Sequence, residues 1–342
     1  MLPAFLLGGA IAAFVPTPVV LKYLGAGANQ VRAYSVAAVS GIVLSLCSCN
    51  IVPLFVSIYR RGAGIGPAFA FLYAGPAINV VAMIFTIQVI GWRLGVWRAI
   101  GVPIVALLVG AAMALIYRRE GSRQAREARA ATVAVASPQA DARIWLLFAA
   151  LLGLVVYGAW EMAWTPKIIG MLLIAVATAG LLYARFEGDE LREWMGETWG
   201  LIKLVIPVLI PAVLVIGGLA AFIDIKLVAR YLGPAPEGST FLRELRPILI
   251  GDIFGSLMYF PILSEVAFTK AFLKMSMDVG PALAVLMTGA GLSLPGAIIV
   301  ARAVGWGKVL AYQALVIAFT TLFAVLFASE FGQYMCACMM ME

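Results

Sequence analysis

The sequence contains no histidine. That removes imidazole chemistry altogether: no Ser–His relay, no histidine metal ligand and no histidine pH switch. Charge is scarce as well, with Asp, Glu, Lys and Arg making up 12% of the 342 residues. No phosphate-cradling loop of the form GxxxxGK[ST] occurs, so the chain is not itself an ATPase of that type. Only four cysteines are present. They fall in two Cys-x-Cys pairs, and neither pair suits a disulfide framework in a membrane segment or a reducing cytoplasm.

Apolar residues fill the space left by these absences, at 63% of the chain. They come in runs long enough to cross a hydrocarbon layer of ~30 Å, which takes about 20 residues of helix. In lipid only helices and closed barrels satisfy the backbone, and the runs are too long for barrel strands. The predicted fold class is therefore an all-α polytopic membrane protein, a multi-pass protein of the cell (inner) membrane. The net charge of +7 sits largely at segment ends and in one linker, as topology signals do. The expected partners are the bilayer and a small-molecule substrate, with no nucleic acid and no cofactor.

Hydropathy predicts about ten transmembrane helices: 4–22, 33–61, 66–92, 101–117, 143–162, 168–184, 200–222, 246–275, 280–303 and 307–329. The chain divides into a first transmembrane repeat (1–117), an Arg-rich linker (118–142), a helical hairpin plus interfacial helix (143–199), a second repeat (200–330) and a Cys/Met-rich tail (331–342). The interfacial helix, over 187–200, is expected to set Trp194 and Trp199 near the headgroups. The linker carries Arg118, Arg119, Arg123, Arg126 and Arg129, which places it in the cytoplasm, with both termini on the same side. The N-terminal segment lacks a basic n-region and reads as a first transmembrane helix rather than a cleaved leader.

Self-similarity is the main internal signal. "FVPTPVVLKYLG" (14–25) aligns without gaps on "FIDIKLVARYLG" (222–233). At the same offset "CSCNIVP" (47–53) falls on "GSLMYFP" (255–261), matching Pro53 to Pro261. After a six-residue insertion in the second half, "GPAFAFLYAGPAIN" (66–79) falls on "GPALAVLMTGAGLS" (280–293). Prolines and paired glycines recur among the matches, and these residues carry positional meaning. Six expected crossings separate the repeat starts, which makes the repeats parallel; one crossing fewer would invert them.

Paired Gly/Pro interruptions at corresponding positions of two halves mark a transporter's binding site. Here they fall over 47–53, at Gly75-Pro76, at Pro261, and at Gly289, Gly291 and Pro295. A re-entrant hairpin over 51–74 would bury Arg60 and Arg61 at a cost of at least ~2.5–3.5 kcal/mol per charge, so two broken crossings are expected. The polar residues beside the breaks are Ser48, Asn50, Asn79, Tyr259, Glu265 and Ser293, with Asp252 further off. Intramembrane carboxylates are functional candidates by default. Glu265 and Asp252 are the coupling candidates, and Glu265 stands where the first repeat has Ser57.

Cys47 and Cys49 do not face each other on a regular helix, but they converge if the chain unwinds beside Pro53. Thiolates prefer soft centres. Cys336 and Cys338, among Met335, Met339, Met340 and Met341, are a weaker candidate for a soft metal. A buried cysteine also serves simply as a small apolar residue. Three functional classes fit: a permease for a thiophilic molecule, a transporter of a soft metal ion or small sulfur species, and a membrane thiol redox protein. The third lacks haem ligands and a Cys-Pro-x-Cys-like centre.

"CSC" followed by Pro, then "RRGAGIGPAFAFLYAGPAIN", resembles the signature of the predicted-permease family that includes the ArsP-type organoarsenical efflux permeases. "LMYFPILSEVAFTKAFLKMSMDVGPALAVLMTGAGLSLPG" is similar to that family's C-terminal repeat. Asn50 stands where the family usually has Gly. The resemblance implies a permease, not an enzyme, that exports trivalent organoarsenicals such as methylarsenite and binds them through thiols.

Overall fold

The computed structural model describes residues 48–60, 62–77, 80–122, 188–220, 230–233, 241–257, 262–289, 291 and 293–339, with scattered positions between 6 and 34 and between 146 and 180. Ten helices organise the described residues, and no strand occurs among them. They are α1 (Ser48–Arg60), α2 (Ile65–Ala77), α3 (Val80–Val89), α4 (Trp92–Ile116), α5 (Gly188–Ala220), α6 (Phe241–Leu257), α7 (Ile262–Lys274), α8 (Val279–Thr288), α9 (Leu294–Val304) and α10 (Trp306–Met339).

Two of them are long and apolar enough to cross a membrane, α4 and the Trp306–Ala328 part of α10. α2 and α3, bent by 44° at their junction, make a third span if taken together. Exposed side chains on α4 include Ile100, Ile104, Leu107 and Leu115, and on α10 Leu310, Leu322 and Leu326. A water-soluble protein does not present so much contiguous apolar surface, whereas in a bilayer it is the lipid-facing side.

The starts Ile65, Val80 and Trp92 recur at Val279, Leu294 and Trp306, each 214 residues further on. Both tryptophan starts follow a glycine with positive φ, Gly91 at 142° and Gly305 at 94°. A side chain is strained in that conformation, so each glycine fixes the tight turn between its helix pair.

Contacts fix the direction of each helix. Near the end of α4, Glu120 pairs with Lys308 of α10, which also donates to the Tyr59 hydroxyl at 3.1 Å. At the other end Trp97 of α4 stacks on Phe323 and Phe327 of α10. α4 and α10 are therefore antiparallel, and Lys308 lies at the end of the molecule nearest the Arg-rich linker. This corrects the expected orientation: Ala328 of α10 lies at the opposite end from the linker, so the two termini of this helix cannot share the linker's side.

α2 begins at the linker end, where Gly66 meets Gly110 backbone to backbone. α8 begins at the opposite end, where Gly280 packs on Ala328. The corresponding helices α2 and α8 thus run in opposite senses.

The expected crossings 33–61 and 246–275 do not traverse. Tyr34 lies against Gly66 and Gly110 at the linker end. α1 starts deep, with Ile51 against Gly75, and returns to the linker end at Tyr59. Tyr34 and Tyr59 therefore both lie at the linker end. α6 descends alongside α8, with Gly251 on Pro281 and Gly255 on Val285. α7 climbs back, from Glu265 beside Gly289 to the turn before Val279. α1 and α7, with 13 residues each, span about 20 Å at ~1.5 Å per residue. Arg60, one of the two arginines that argued against a hairpin over 51–74, ends α1 at the linker end beside Tyr59, and Arg61 lies outside the described residues.

The expected interfacial helix and the crossing after it form one helix, α5, running through Pro207 and Pro211. Trp194 is buried rather than set among headgroups: its indole N–H donates to the Leu6 carbonyl at 2.9 Å and its ring packs near Phe14. Trp199 is exposed, as expected of an interfacial residue. Trp194→Phe keeps most of the packing but strands the Leu6 carbonyl, and it should lower stability by about 1 kcal/mol. Thermal unfolding in detergent reads this, and an unchanged midpoint would show that the carbonyl finds another donor.

Candidate functional site

The helix directions bring the interruptions to one level. α1, α3, α7 and α9 all start at depth, while α2, α6 and α8 end there. A helix start leaves unpaired N–H groups and a partial positive charge. The lining is close-packed around these ends. Gly291, inside the break between α8 and α9, lies against the Tyr73 ring, and the Tyr73 hydroxyl donates to the Met287 carbonyl at 3.2 Å. Proline at 53 has no N–H to give, which leaves the Cys49 carbonyl without its helical donor.

Two buried charges face each other across these halves. Arg98 of α4 donates from Nη2 to Glu265 Oε2 of α7 at 3.5 Å, with exposures of 0% and 1%. Nη1 donates to Thr86 Oγ1 at 3.2 Å, and that hydroxyl in turn donates to the Ala82 carbonyl. A charge-assisted pair normally closes to about 2.7–2.9 Å, so this one is loosely made. Arg98 Nε and Glu265 Oε1 have no hydrogen-bond partner among the described residues. Buried polar groups are nearly always satisfied, so two open positions on one pair indicate room for a polar ligand or water. Glu265 Oε1 faces Gly289 at the helix break, 3.6 Å from where a side chain there would begin.

The predicted site residues distribute unevenly. Glu265, Gly75, Pro76 and Ser293 are buried at or beside the interruptions. Ser293 caps the start of α9 by position, with no side-chain hydrogen bond to the helix. Asp252 is fully buried one helix away, hydrogen-bonded to the hydroxyls of Thr288 and Thr321. Of Ser48, Cys49, Asn50 and Pro53 the backbone alone is described, in the first turns of α1. Cys47, Asn79 and Tyr259 lie outside the described residues. The backbone of Cys336 and Cys338 belongs to α10, and their side chains lie outside the described atoms.

Arg98 was missed from the sequence. The fourth segment was expected to begin at 101, which made Arg98 a flanking cation. α4 begins instead at Trp92, and Arg98 is carried almost two turns into it. The signal lay in "GWRLGVWRAIG": a Gly-Trp start, matched by Gly305-Trp306, with an arginine six residues inside.

These features define a helical membrane protein with interrupted helices that end at one level. The chain belongs to the predicted-permease family ArsP_1, which matches residues 1–329. It is 35% identical over 332 residues to UPF0718 protein MJ0584 of Methanocaldococcus jannaschii, covering 94% of this chain and 89% of that protein. It is 22% identical over 298 residues to UPF0718 protein YraQ of Escherichia coli, covering 87% of this chain and 68% of that protein. No solved structure is significantly similar.

Proposed function

We propose that the protein is a permease of the cell (inner) membrane that exports a small thiophilic substrate, trivalent organoarsenicals such as methylarsenite, from a site between two inverted repeats. The observation that carries this reading is the start of α1: the Cys49 backbone lies two residues before buried Ile51, which packs on Gly75 at the level of the helix interruptions. Cys47 and Cys49 would bind the arsenic as thiolates. Each As–S bond would displace one substrate hydroxyl as water, with the proton coming from the thiol, and the open positions of the Arg98–Glu265 pair would hold the departing oxygen.

Inverted repeats, rather than the parallel ones expected from the crossing count, are supported by the shared 214-residue register, by the opposed directions of α2 and α8, and by a self-contact. Tyr73 and Met287 hold matching positions in that register and touch each other. Residues on a two-fold axis meet their own equivalents.

Cells expressing the protein should withstand methylarsenite that stops growth of control cells. The double variant Cys47→Ser/Cys49→Ser, at equal membrane abundance, should lose that protection entirely. Full protection by the double variant would remove thiols from the site and overturn the reading. Protection by the wild type against Cu(I) but not methylarsenite would move the substrate to a soft metal ion.

A further inference from the structure

The permease reading leaves unexplained a second buried carboxyl. Asp252 on α6 is 0% exposed, and among the described residues it has no basic partner. Three threonines surround it. Thr288, the last residue of α8, bonds to Oδ1 and Thr321 of α10 to Oδ2. Thr288 also lies 3.1 Å from the Thr320 hydroxyl, which donates to the Val316 carbonyl at 2.6 Å.

The number of protons settles what this arrangement needs. The Thr320 hydroxyl also lies 3.1 Å from the Ile317 carbonyl, where it shares the proton it gives to Val316; apart from that shared bond four contacts are made: Asp252–Thr288, Asp252–Thr321, Thr288–Thr320 and Thr320–Val316 carbonyl. Each threonine hydroxyl has one proton to give, which supplies three. If Asp252 is a carboxylate, Thr288 must donate to it, Thr320 donates to Val316, and the contact between the two hydroxyls holds no proton. If Asp252 is a carboxylic acid, its own proton goes to Thr288, Thr288 donates to Thr320, and Thr321 donates to the remaining carboxyl oxygen. All four contacts are then filled. The neutral form also avoids leaving an uncompensated charge in an apolar surround.

The fold does not require these hydroxyls. In the 214-residue register Thr288 and Thr320 correspond to Ala74 and Ala106, both buried where α2 crosses α4. The first half makes the same helix crossing with methyl groups.

We propose that Asp252, Thr288, Thr320 and Thr321 form a proton-binding site, loaded in the conformation seen here, whose proton ties the broken end of α8 to α6 and α10. Release of that proton to water leaves the carboxylate one donor short along the chain and loosens Thr288, the residue that immediately precedes the break at Gly289. The titratable groups facing the cluster are few. Tyr73 of α2 lies within electrostatic range of Asp252, and the same tyrosine is within range of Arg98, Glu265 and Tyr312 of α10. α8 offers no titratable side chain, and Arg246 of α6 is exposed. Proton binding here would couple the transport cycle to the proton gradient; this deepens the permease reading, but its test needs no substrate.

Infrared spectroscopy of the purified full-length protein in lipid nanodiscs, in potassium buffer at neutral pH, reads the carbonyl stretch of a protonated carboxylic acid directly. The wild type should show such a band. Asp252→Asn should lose it, Glu265→Gln should keep it, and Thr288→Val should shift it by removing the acceptor. Asn can donate to Thr288 and accept from Thr321 as the acid does, so this variant should fold. A wild-type spectrum without the band, or a band untouched by Asp252→Asn, overturns the proposal. A band abolished by added Na+ assigns the site to sodium and overturns it equally. Because no arsenical enters the experiment, its failure is separate from failure of the thiol site.

Discussion

Exchanging Arg98 for methionine should destabilise the protein by about 3–5 kcal/mol, the range for breaking a buried ion pair from one side. The mechanism is desolvation. Glu265 is 1% exposed and Arg98 is its ion-pair partner among the described residues. Removing the guanidinium leaves a buried carboxylate with no other cation beside it among the described residues. Methionine roughly fills the arginine stem's volume, so little of the loss comes from a cavity. The double variant Arg98→Met/Glu265→Gln should recover most of that stability, because replacing both members of a buried pair is often neutral or better. A double-mutant cycle by thermal or denaturant unfolding in detergent gives the coupling directly. If Arg98→Met unfolds like the wild type, Glu265 is in contact with water and the pair is not sealed. The double variant also separates stability from transport: it should fold while failing to protect cells from methylarsenite, since both open positions, Arg98 Nε and Glu265 Oε1, are gone.

Gly110→Val should be comparably severe, for a steric reason. A Cβ at 110 would lie 2.8 Å from Ala70 Cβ, 2.8 Å from Tyr34 Cε1 and 2.9 Å from the Gly66 carbonyl oxygen. Two of those neighbours cannot move away cheaply, because one is backbone and the other is a methyl fixed to α2. Without a hydrophobic driving force between helices in lipid, association relies on such close approach of small residues. Overpacking a tight site costs about 1–3 kcal/mol, so Gly110→Ala should fall in that range and Gly110→Val at or above its top. Gly121→Ala, with open space around it, is the control and should unfold at the wild-type midpoint. An unchanged midpoint for Gly110→Val would mean that α2 and α4 do not cross where the structure has them.

Much of the candidate site was legible before any coordinates. The interruptions at Gly75-Pro76 and from Gly289 to Pro295 correspond to the junctions α2/α3 and α8/α9, because a missing N–H or a missing Cβ acts locally, wherever the helix sits. Glu265 stood out because a carboxyl in an apolar run is costly in any fold. Arg98 did not, because its standing depends on where α4 begins, and that start is set by the Gly91 turn rather than by hydropathy. The threonines around Asp252 carried no signal at all. A threonine inside an apolar helix reads as neutral until the partner across the crossing is known.

The sequence by itself determined the helical membrane class, the places where helices break and the register in which the second half echoes the first. These follow from backbone chemistry and from apolar runs that water will not hold. Only the tertiary structure decided direction: that α4 and α10 oppose each other, that the stretches around α1 and α6–α7 fold back instead of crossing, and that Arg98 meets Glu265. Hydropathy measures how much a segment gains by leaving water, and that quantity is the same whether the chain passes through the bilayer or turns round inside it.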